Sequence, residues 1–478
     1  MKSCTPALTA AFLLGLAAAA HGQPAIEIPP DEDPAKAGVP KEEAPKAGVP
    51  KEGAPKEAPP KEAAAKGGGT TPQSAAKTDA QQTVNAPPFR PYGDRTSLFG
   101  TIAQKIEAII NRTVIGGYGE FVFNVPEGRD SYFEARRLVL YLYSPIHPRI
   151  SFATEIETEF GGTPRKVDGQ LQNGEVILEF AVVDVKIADW LNLRGGVLLI
   201  PFNKFNVNHD APTRDLTDRP LVVRTIIPST WYETGAGLFG TLHPGPLDVN
   251  YEVYFINGLD SRIQDGFGNR PARGSLTQDN NNDKALVGRV GIGHFGRAGR
   301  IPFNIEFGVS GYTGAYDRRG HRANLVGSDL TLRLGHFEFL GEYVRAFNDP
   351  GFDDDYPGSS RQPVPTGMQG FYVQANYHFM PKFILRRLPE TMQAATFTAV
   401  ALYEEVDTDT VHNTSGDRTR LVFGLNFRPI EAVVWKNEVQ FEYTGQVVDG
   451  KFVRRSFFGA GSAPRPAINY VTSVAFLF

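Results

Sequence analysis

The sequence predicts an all-β fold: an antiparallel transmembrane β-barrel of about 16 strands over residues 113–478. From residue 113 onward the chain repeats runs of roughly ten to thirteen residues rich in Val, Ile, Phe and Tyr, which turn residues separate. Several runs alternate apolar and polar side chains, as strands do when one face meets lipid and the other a polar lumen. The connections alternate between short and long, as they do in membrane barrels.

The N-terminus predicts a secretory signal peptide over residues 1–22. A positively charged start precedes an apolar run at residues 7–20, and small residues follow it. Cleavage is expected after Gly22, with cleavage after Ala20 as the alternative. The only cysteine, Cys4, precedes the apolar run, so the mature chain is expected to hold no disulfide, thiol nucleophile or lipid-attachment cysteine. No later apolar run approaches the roughly 18 residues of a membrane helix.

Residues 23–95 predict a disordered, Pro-rich periplasmic spacer. The heptad Lys-Ala-Gly-Val-Pro-Lys-Glu occurs at 36–42 and again at 46–52, and large apolar residues are scarce. The prolines favour an extended polyproline II conformation. Two interpretations stay open: a solvated tail, or a spacer that contacts peptidoglycan through residues 23–88.

Residues 96–112 predict a short amphipathic helix. Its apolar residues lie three or four positions apart and form one stripe. They are Leu98, Phe99, Ile102, Ile106, Ile109 and Ile110. Packing at the barrel mouth or between protomers is expected, rather than ligand binding.

The barrel strands are predicted from their alternation, which is clearest at 150–160, 371–379 and 433–443. The predicted strands are 113–125, 131–143, 148–160, 174–185, 190–200, 231–241, 246–257, 284–295, 302–314, 322–335, 336–347, 367–379, 394–406, 418–428, 431–444 and 466–478. Their inward charged residues predict a largely acidic lumen wall. The wall residues are Glu155, Glu157, Glu252, Arg289, Glu306, Arg333 and Glu438.

The connections support the same topology. If the first strand starts in the periplasm, the even-numbered connections should be short and the odd-numbered ones long. The long, polar ones are 161–173, 201–230, 258–283, 348–366, 407–417 and 445–465. One even connection, 380–393, is longer than this rule expects.

Two segments resemble the phosphate-selective porin O/P family. They are Leu-Arg-Gly-Gly-Val-Leu-Leu-Ile-Pro-Phe at 193–202 and Trp-Tyr-Glu-Thr-Gly-Ala-Gly-Leu-Phe-Gly at 231–240. The resemblance covers about residues 115–260 and the C-terminus. The sequence departs from the family pattern after Pro-Phe, where Asn203 stands in place of Gly. The resemblance implies an outer-membrane porin and a homotrimer.

In sixteen-strand porins the loop after the fifth strand folds into the lumen, so the resemblance implies that residues 201–230 form a constriction. Charged groups in a narrow, low-dielectric passage select ions. The expected constriction residues are Lys204, Asp210, Arg214, Asp215, Asp218, Arg219 and Arg224. The alternative is an outer loop that Arg–Asp pairs hold in place.

The last eleven residues, 468–478, alternate and end on an aromatic residue. Tyr470, Phe476 and Phe478 fall on the apolar face, and the pattern resembles the C-terminal assembly signal of bacterial outer-membrane barrels. That resemblance implies a bacterial outer-membrane location, with outer-membrane lipid and the barrel-assembly machinery as partners. The alternative is the edge strand of a soluble sandwich.

The expected function is passive diffusion of small hydrophilic solutes or ions. Family members line the pore with Arg and Lys, whereas the predicted wall here is acidic, which favours a general porin with weak ion preference. Three alternatives stay open: a phosphate- or anion-selective channel, a structural barrel that tethers the membrane to peptidoglycan, and a barrel enzyme. A formal net charge of −4 gives no reason to expect nucleic-acid binding.

No catalytic residue, cofactor or metal site is predicted. The nine histidines show no ligand spacing. Acidic runs at 279–283 and 353–355 could bind calcium, but both lack the glycine and terminal glutamate of an EF-hand loop.

Overall fold

A computed structural model describes residues 113–478, except 168–169, 173, 275, 278, 355–360, 413, 415, 449–450 and 454–464. The predicted signal peptide, spacer and amphipathic helix, which together span residues 1–112, lie outside the described residues. In the described part, no helix is long and apolar enough to cross a membrane.

Sixteen antiparallel strands form a closed barrel in which each strand pairs with its sequence neighbours and the last pairs with the first. The strands are β1 Val114–Pro126, β2 Tyr132–His147, β3 Ile150–Glu159, β4 Glu175–Ala188, β5 Leu191–Leu199, β6 Tyr232–Leu242, β7 Leu247–Ile256, β8 Ala285–Ala298, β9 Ile301–Ala315, β10 Arg322–Leu334, β11 Phe337–Asn348, β12 Gly367–Phe379, β13 Thr396–Asp407, β14 Arg418–Ile430, β15 Val433–Thr444 and β16 Ala467–Leu477. The predicted fold class is confirmed, and every predicted strand is present within a few residues. Two short hairpins lie in long connections, Arg165–Val167 with Gln170–Gln172 and Gln446–Val448 with Lys451–Val453.

The barrel closes where β16 pairs with β1 from Tyr118↔Leu477 to Pro126↔Asn469. Beyond the strand end, Phe478 and Gly117 exchange two backbone hydrogen bonds of 3.0 Å. A Cβ on Gly117 would lie 2.8 Å from the ring of Phe478, and one on Gly119 would lie 2.7 Å from the ring of Phe476. The two glycines therefore let the terminal aromatic rings lie flat against β1.

The outer surface of the barrel is apolar and the interior is polar. Along β15, Trp435 is 50% exposed, whereas the neighbouring Lys436 is fully buried. Along β12, Val373 is 54% exposed and Asn376 only 2%. This is the inverse of a soluble sandwich, which buries its apolar face, and it is the arrangement of a barrel that spans lipid.

The connections divide the barrel into two ends. Short turns at 148–149, 189–190, 243–246, 299–300, 335–336 and 431–432 form one end, the turn end. The long connections lie at the other, the loop end. The connection predicted at 380–393, which is longer than the other connections at the turn end, contains a single helical turn, Lys382–Leu385, and a 3₁₀ turn, Glu390–Met392. Its extra length is therefore folded into two compact turns.

The loop after β5, residues 201–230, folds into the barrel and is called the inward loop below. It contains two one-turn helices, α1 Asn203–Val207 and α2 Leu221–Thr225, and a 3₁₀ turn, Ala211–Thr213. Apolar side chains of α2 are fully buried and join a core cluster with wall residues such as Tyr254 and Tyr312. At the end of the loop, the Trp231 ring lies 5.9 Å from that of Phe202 and 5.1 Å from that of Tyr312.

Candidate functional site: the inward loop and the lumen

All seven predicted constriction residues lie on the inward loop, inside the barrel. Asp210, Arg214, Asp215 and Arg219 are buried. Lys204 and Asp218 are half-buried, and Arg224 is exposed to an internal cavity. The loop thus brings these charges into the lumen, but most of them contact protein rather than open space.

The inward loop begins with a turn that explains the departure from the porin O/P pattern. Asn203 has a φ of 54°, in the left-handed region that glycine adopts freely and that asparagine tolerates better than most residues. Its side-chain amide donates to the carbonyls of Ser328 and Tyr343, at 3.4 and 3.2 Å. Asn203 therefore supplies both the turn conformation and two anchors on the wall.

A second asparagine ties the two ends of the loop together. The Asn206 amide nitrogen donates to the carbonyls of Ile200 and Trp231, at 2.8 and 3.0 Å. The Trp231 backbone N–H donates back to the Asn206 side-chain oxygen at 2.9 Å. The two carbonyls also accept backbone N–H groups of Phe202 and Ile200, so loss of the Asn206 side chain would leave mainly the buried Trp231 N–H without its partner.

Several wall carboxylates hold the loop instead of facing a passage. Glu342 accepts a hydrogen bond from the backbone N–H of Phe205 at 2.6 Å, and Glu438 accepts one from Thr217 at 2.8 Å. Glu404 accepts the backbone N–H of Leu221. These contacts satisfy amides at the starts of short helices and turns, where no intrahelical partner exists.

The predicted wall residues face the interior, but basic partners neutralise most of the acids. Glu306 pairs with both Lys204 and Arg289, and Arg289 also pairs with Asp329 at 2.6 Å. Further pairs include Arg137 with Glu157 at 2.9 Å, Arg194 with Glu252 at 3.6 Å and Arg333 with Glu338 at 2.7 Å. Three of the five predicted wall glutamates are therefore paired with basic groups, whereas Glu155 and Glu438 have no basic partner among the described residues.

The loop carboxylate Asp218 is surrounded by basic groups. Arg136 donates to it at 2.9 Å, Arg420 lies 3.8 Å away, and the Gln440 amide donates at 2.8 Å. Burial disfavours the charged form of Asp218, but Arg136 and Arg420 outweigh burial and hold the pKa of this carboxyl below its usual range. Asp218 is therefore a charged residue of the lumen at neutral pH.

A cavity of about 390 Å³ lies at the loop end, between the inward loop and the wall strands β1, β2, β3 and β16. Its charged lining comprises five arginines and three acids. The arginines are Arg136, Arg137, Arg219, Arg224 and Arg270, and the acids are Glu134, Glu159 and Asp218. The basic groups therefore outnumber the acidic ones in this lining.

Two arginines lack full compensation. Nε and Nη2 of Arg219 are buried and make no hydrogen bond to the described residues. Arg270 belongs to the connection 257–284 and donates to the Ser229 carbonyl at 2.6 Å. Burial, followed by the positive charges of Arg273 and Arg219, lowers the pKa of Arg270 to about 9. Burial is the largest cause of the lowered pKa, and the neighbouring arginines add to it.

Sequence reasoning missed three of the five cavity arginines, namely Arg136, Arg137 and Arg270. In β2 the pairing with β1 shifts between Glu120 and Phe121, and the extra residue is Arg136. This β-bulge turns two consecutive arginines toward the lumen, whereas strict alternation would place them on opposite faces. Arg270 comes from another loop, and no local signal connects it with the inward loop.

No family model matches the chain. A protein of Aquifex aeolicus (strain VF5), described as uncharacterized, is 27% identical over 371 residues, which cover 73% of this chain and 79% of that protein. Three solved structures are similar in part, each over 77% of this chain. The OmpF complex with daunomycin from Salmonella typhi is 10% identical, with a TM-score of 0.46 over 98% of its length. The anion-selective porin from Comamonas acidovorans is 9% identical (TM-score 0.45, 100% of its length), and the outer membrane channel DcaP of Acinetobacter baumannii is 13% identical (TM-score 0.43, 97%).

Proposed function

We propose that the protein is an outer-membrane porin through which small hydrophilic solutes or ions diffuse passively, with residues 201–230 as the constriction. The observation that carries the proposal is the inward loop, whose charged side chains lie inside a closed barrel with an apolar outer surface. No residue is assigned a catalytic role or a cofactor. A homotrimer follows from the resemblance to the porin O/P family.

A preference for anions is a second candidate, which one observation favours. The cavity beside the loop has five arginines against three acids, and Arg219 and Arg224 come from the loop itself. The wall glutamates that would favour cations are mostly paired with arginine or lysine, so they contribute little net field. This arrangement supports an anion-preferring channel over one with weak ion preference.

Planar-bilayer recording on the purified mature protein, with a salt gradient across the membrane, tests both candidates. Stepwise conductance is expected, with a reversal potential in the direction of anion selectivity. A potential near zero or in the cation direction would reject the anion preference and leave the general porin. A well-folded barrel without any conductance would reject the porin and favour the structural tether.

The domain organisation is proposed as a signal peptide at 1–22, a periplasmic spacer at 23–95, a short helix at 96–112 and the barrel from 113. N-terminal sequencing of the outer-membrane form is expected to begin at Gln23. Deletion of 23–88 separates the two roles: if envelope integrity fails while solute uptake persists, the spacer is a tether. Deletion of Phe478 is expected to reduce barrel assembly if Tyr470, Phe476 and Phe478 form the assembly signal.

A further inference from the structure

A second polar cluster lies where the inward loop meets β3 and β4. Its residues do not line the cavity that holds the five arginines. It comprises Glu155 on β3, Glu179 on β4, and His209 and Asp210 on the loop. All four side chains are buried, and Glu155 and Glu179 are completely inaccessible to solvent. The ligand atoms of Glu155, His209 and Asp210 lie within 4.8 Å of one another.

The hydrogen bonds of this cluster leave one carboxylate unsatisfied. Neither side-chain oxygen of Glu155 receives a hydrogen bond from the described residues. Glu179, in contrast, accepts one from the Thr230 hydroxyl at 2.7 Å and contacts Nε2 of His209 at 2.9 Å. A buried carboxylate without a donor or cation is costly, because its charge has lost the solvation of water.

The hydrogen bonds of His209 indicate what could neutralise the buried Glu155 carboxylate. Nδ1 lies 2.9 Å from the carbonyl oxygen of Asn206. A carbonyl can only accept, so Nδ1 carries the hydrogen. Without an ion, a proton must lie between Nε2 and Glu179, because the two atoms are 2.9 Å apart. An ion at Nε2 takes the place of that proton, and histidines that bind metals commonly donate their other N–H to a backbone carbonyl.

We propose that Glu155, His209 and Asp210 bind one divalent transition-metal ion of the Zn²⁺ class, with Glu179 beside His209. One imidazole nitrogen with carboxylate oxygens is a donor set that suits zinc, whereas calcium takes six to eight oxygen ligands. The ion neutralises the buried acids and joins the loop, through His209 and Asp210, to the wall strands. Because Glu155 lies on β3 and the other two ligands lie on the inward loop, sequence spacing could not reveal the site. The site does not require that the barrel conducts.

The test is a zinc titration of the purified mature protein in detergent, after treatment with a chelator and its removal. One Zn²⁺ per chain is expected by calorimetry and by elemental analysis. Cobalt in place of zinc should give visible ligand-field absorption of a low-coordinate site. Glu155→Gln and His209→Gln should each weaken zinc binding at least tenfold and remove the cobalt bands.

Matched controls are His243→Gln, at an exposed turn where His243 pairs only with Asp248, and Glu390→Gln, at an exposed 3₁₀ turn. Both should bind zinc as the wild type does.

The main rival to a metal ion is a proton shared between Glu155 and Glu179, which lie close together. Folded wild-type protein that binds no zinc, or unchanged binding in Glu155→Gln, would overturn the metal site. If Glu155→Gln does not fold, Asp210→Asn takes its place. Since the readout is metal binding, its failure is distinct from a failure to conduct.

Discussion

The two sides of the inward loop differ in the balance between their acidic and basic side chains. Toward β8, β9 and β10, the loop residue Lys204 pairs with Glu306, and Arg289 pairs with both Glu306 and Asp329. Toward β1 and β2, Arg219 and Arg224 face a cavity in which arginines outnumber acids. Paired charges therefore anchor the loop on one side, whereas basic groups outnumber acidic ones on the other.

The largest effect is expected on the anchored side, from Arg289→Ala. The substitution leaves Asp329 buried with no arginine beside it and Glu306 with Lys204 alone. Loss of one partner of a buried ion pair costs about 3–5 kcal/mol. Denaturant unfolding of the detergent-solubilised barrel should show a loss of this order. Arg297→Ala, an exposed position near the turn end of the same strand, is the control, and equal losses in the two variants would contradict the anchoring role.

An intermediate effect is expected at the first residue of α1. Asn203→Ala removes the amide bonds to the wall and also places alanine at a positive φ, which costs about 1–3 kcal/mol. Asn203→Gly removes the same bonds but adopts this φ freely. Thermal unfolding should therefore rank wild type above the glycine variant and the glycine variant above the alanine variant. If alanine were as stable as glycine, the backbone conformation would not be the reason for Asn at this position.

A smaller effect on stability, but a clear one on selectivity, is expected on the cavity side. Arg224 is exposed, so Arg224→Gln should change the unfolding free energy by no more than about 0.5 kcal/mol. The double variant with Arg219→Gln should shift the reversal potential toward cations, because two positive charges leave the cavity lining. Arg300→Gln removes a charge at the turn end and should leave the potential unchanged. A shift of the same size in that control would reject the cavity as the selective region.

The smallest effect on ion selectivity is expected when the pH is lowered. The folded pKa of Asp218 lies below its ordinary value because Arg136 and Arg420 favour the charged form. Such a group stabilises the fold above the unfolded pKa, and that contribution is lost only as pH falls through the folded pKa. Asp218→Asn should therefore shift ion selectivity toward anions, and the difference from wild type should stay constant as pH falls from 7 through the usual range of aspartate. A difference that disappears within that range would contradict the contacts described for Asp218.

The strands could be predicted because a barrel strand carries its own signal. Each wall segment must present alternate faces to lipid and lumen, so the period of two is visible in 433–443 without knowledge of any neighbour. The position of the inward loop followed from the strand count together with a family resemblance. Asn203 was noted as a departure, but the reason, a left-handed backbone conformation, is a property of the folded turn.

The charges of the lumen could not be predicted in the same way, because their effect depends on partners that are distant in sequence. The local sequence predicts an acidic wall residue at Glu306, but in the structure Glu306 pairs with Lys204, which lies about a hundred residues earlier in the chain. Strict alternation would place Arg136 and Arg137 on opposite faces, but the β-bulge turns both toward the lumen. The group around Glu155 and His209 joins a strand and a loop whose sequences show no common motif.

By itself the sequence determined the barrel, its strand boundaries and the polarity of its two faces, because these depend on local alternation and on the solvent that each face meets. Only the tertiary structure decided which charges cancel and which remain. Electrostatic interactions act through space over a few ångströms, and the closed barrel sets those distances between residues that the chain keeps far apart.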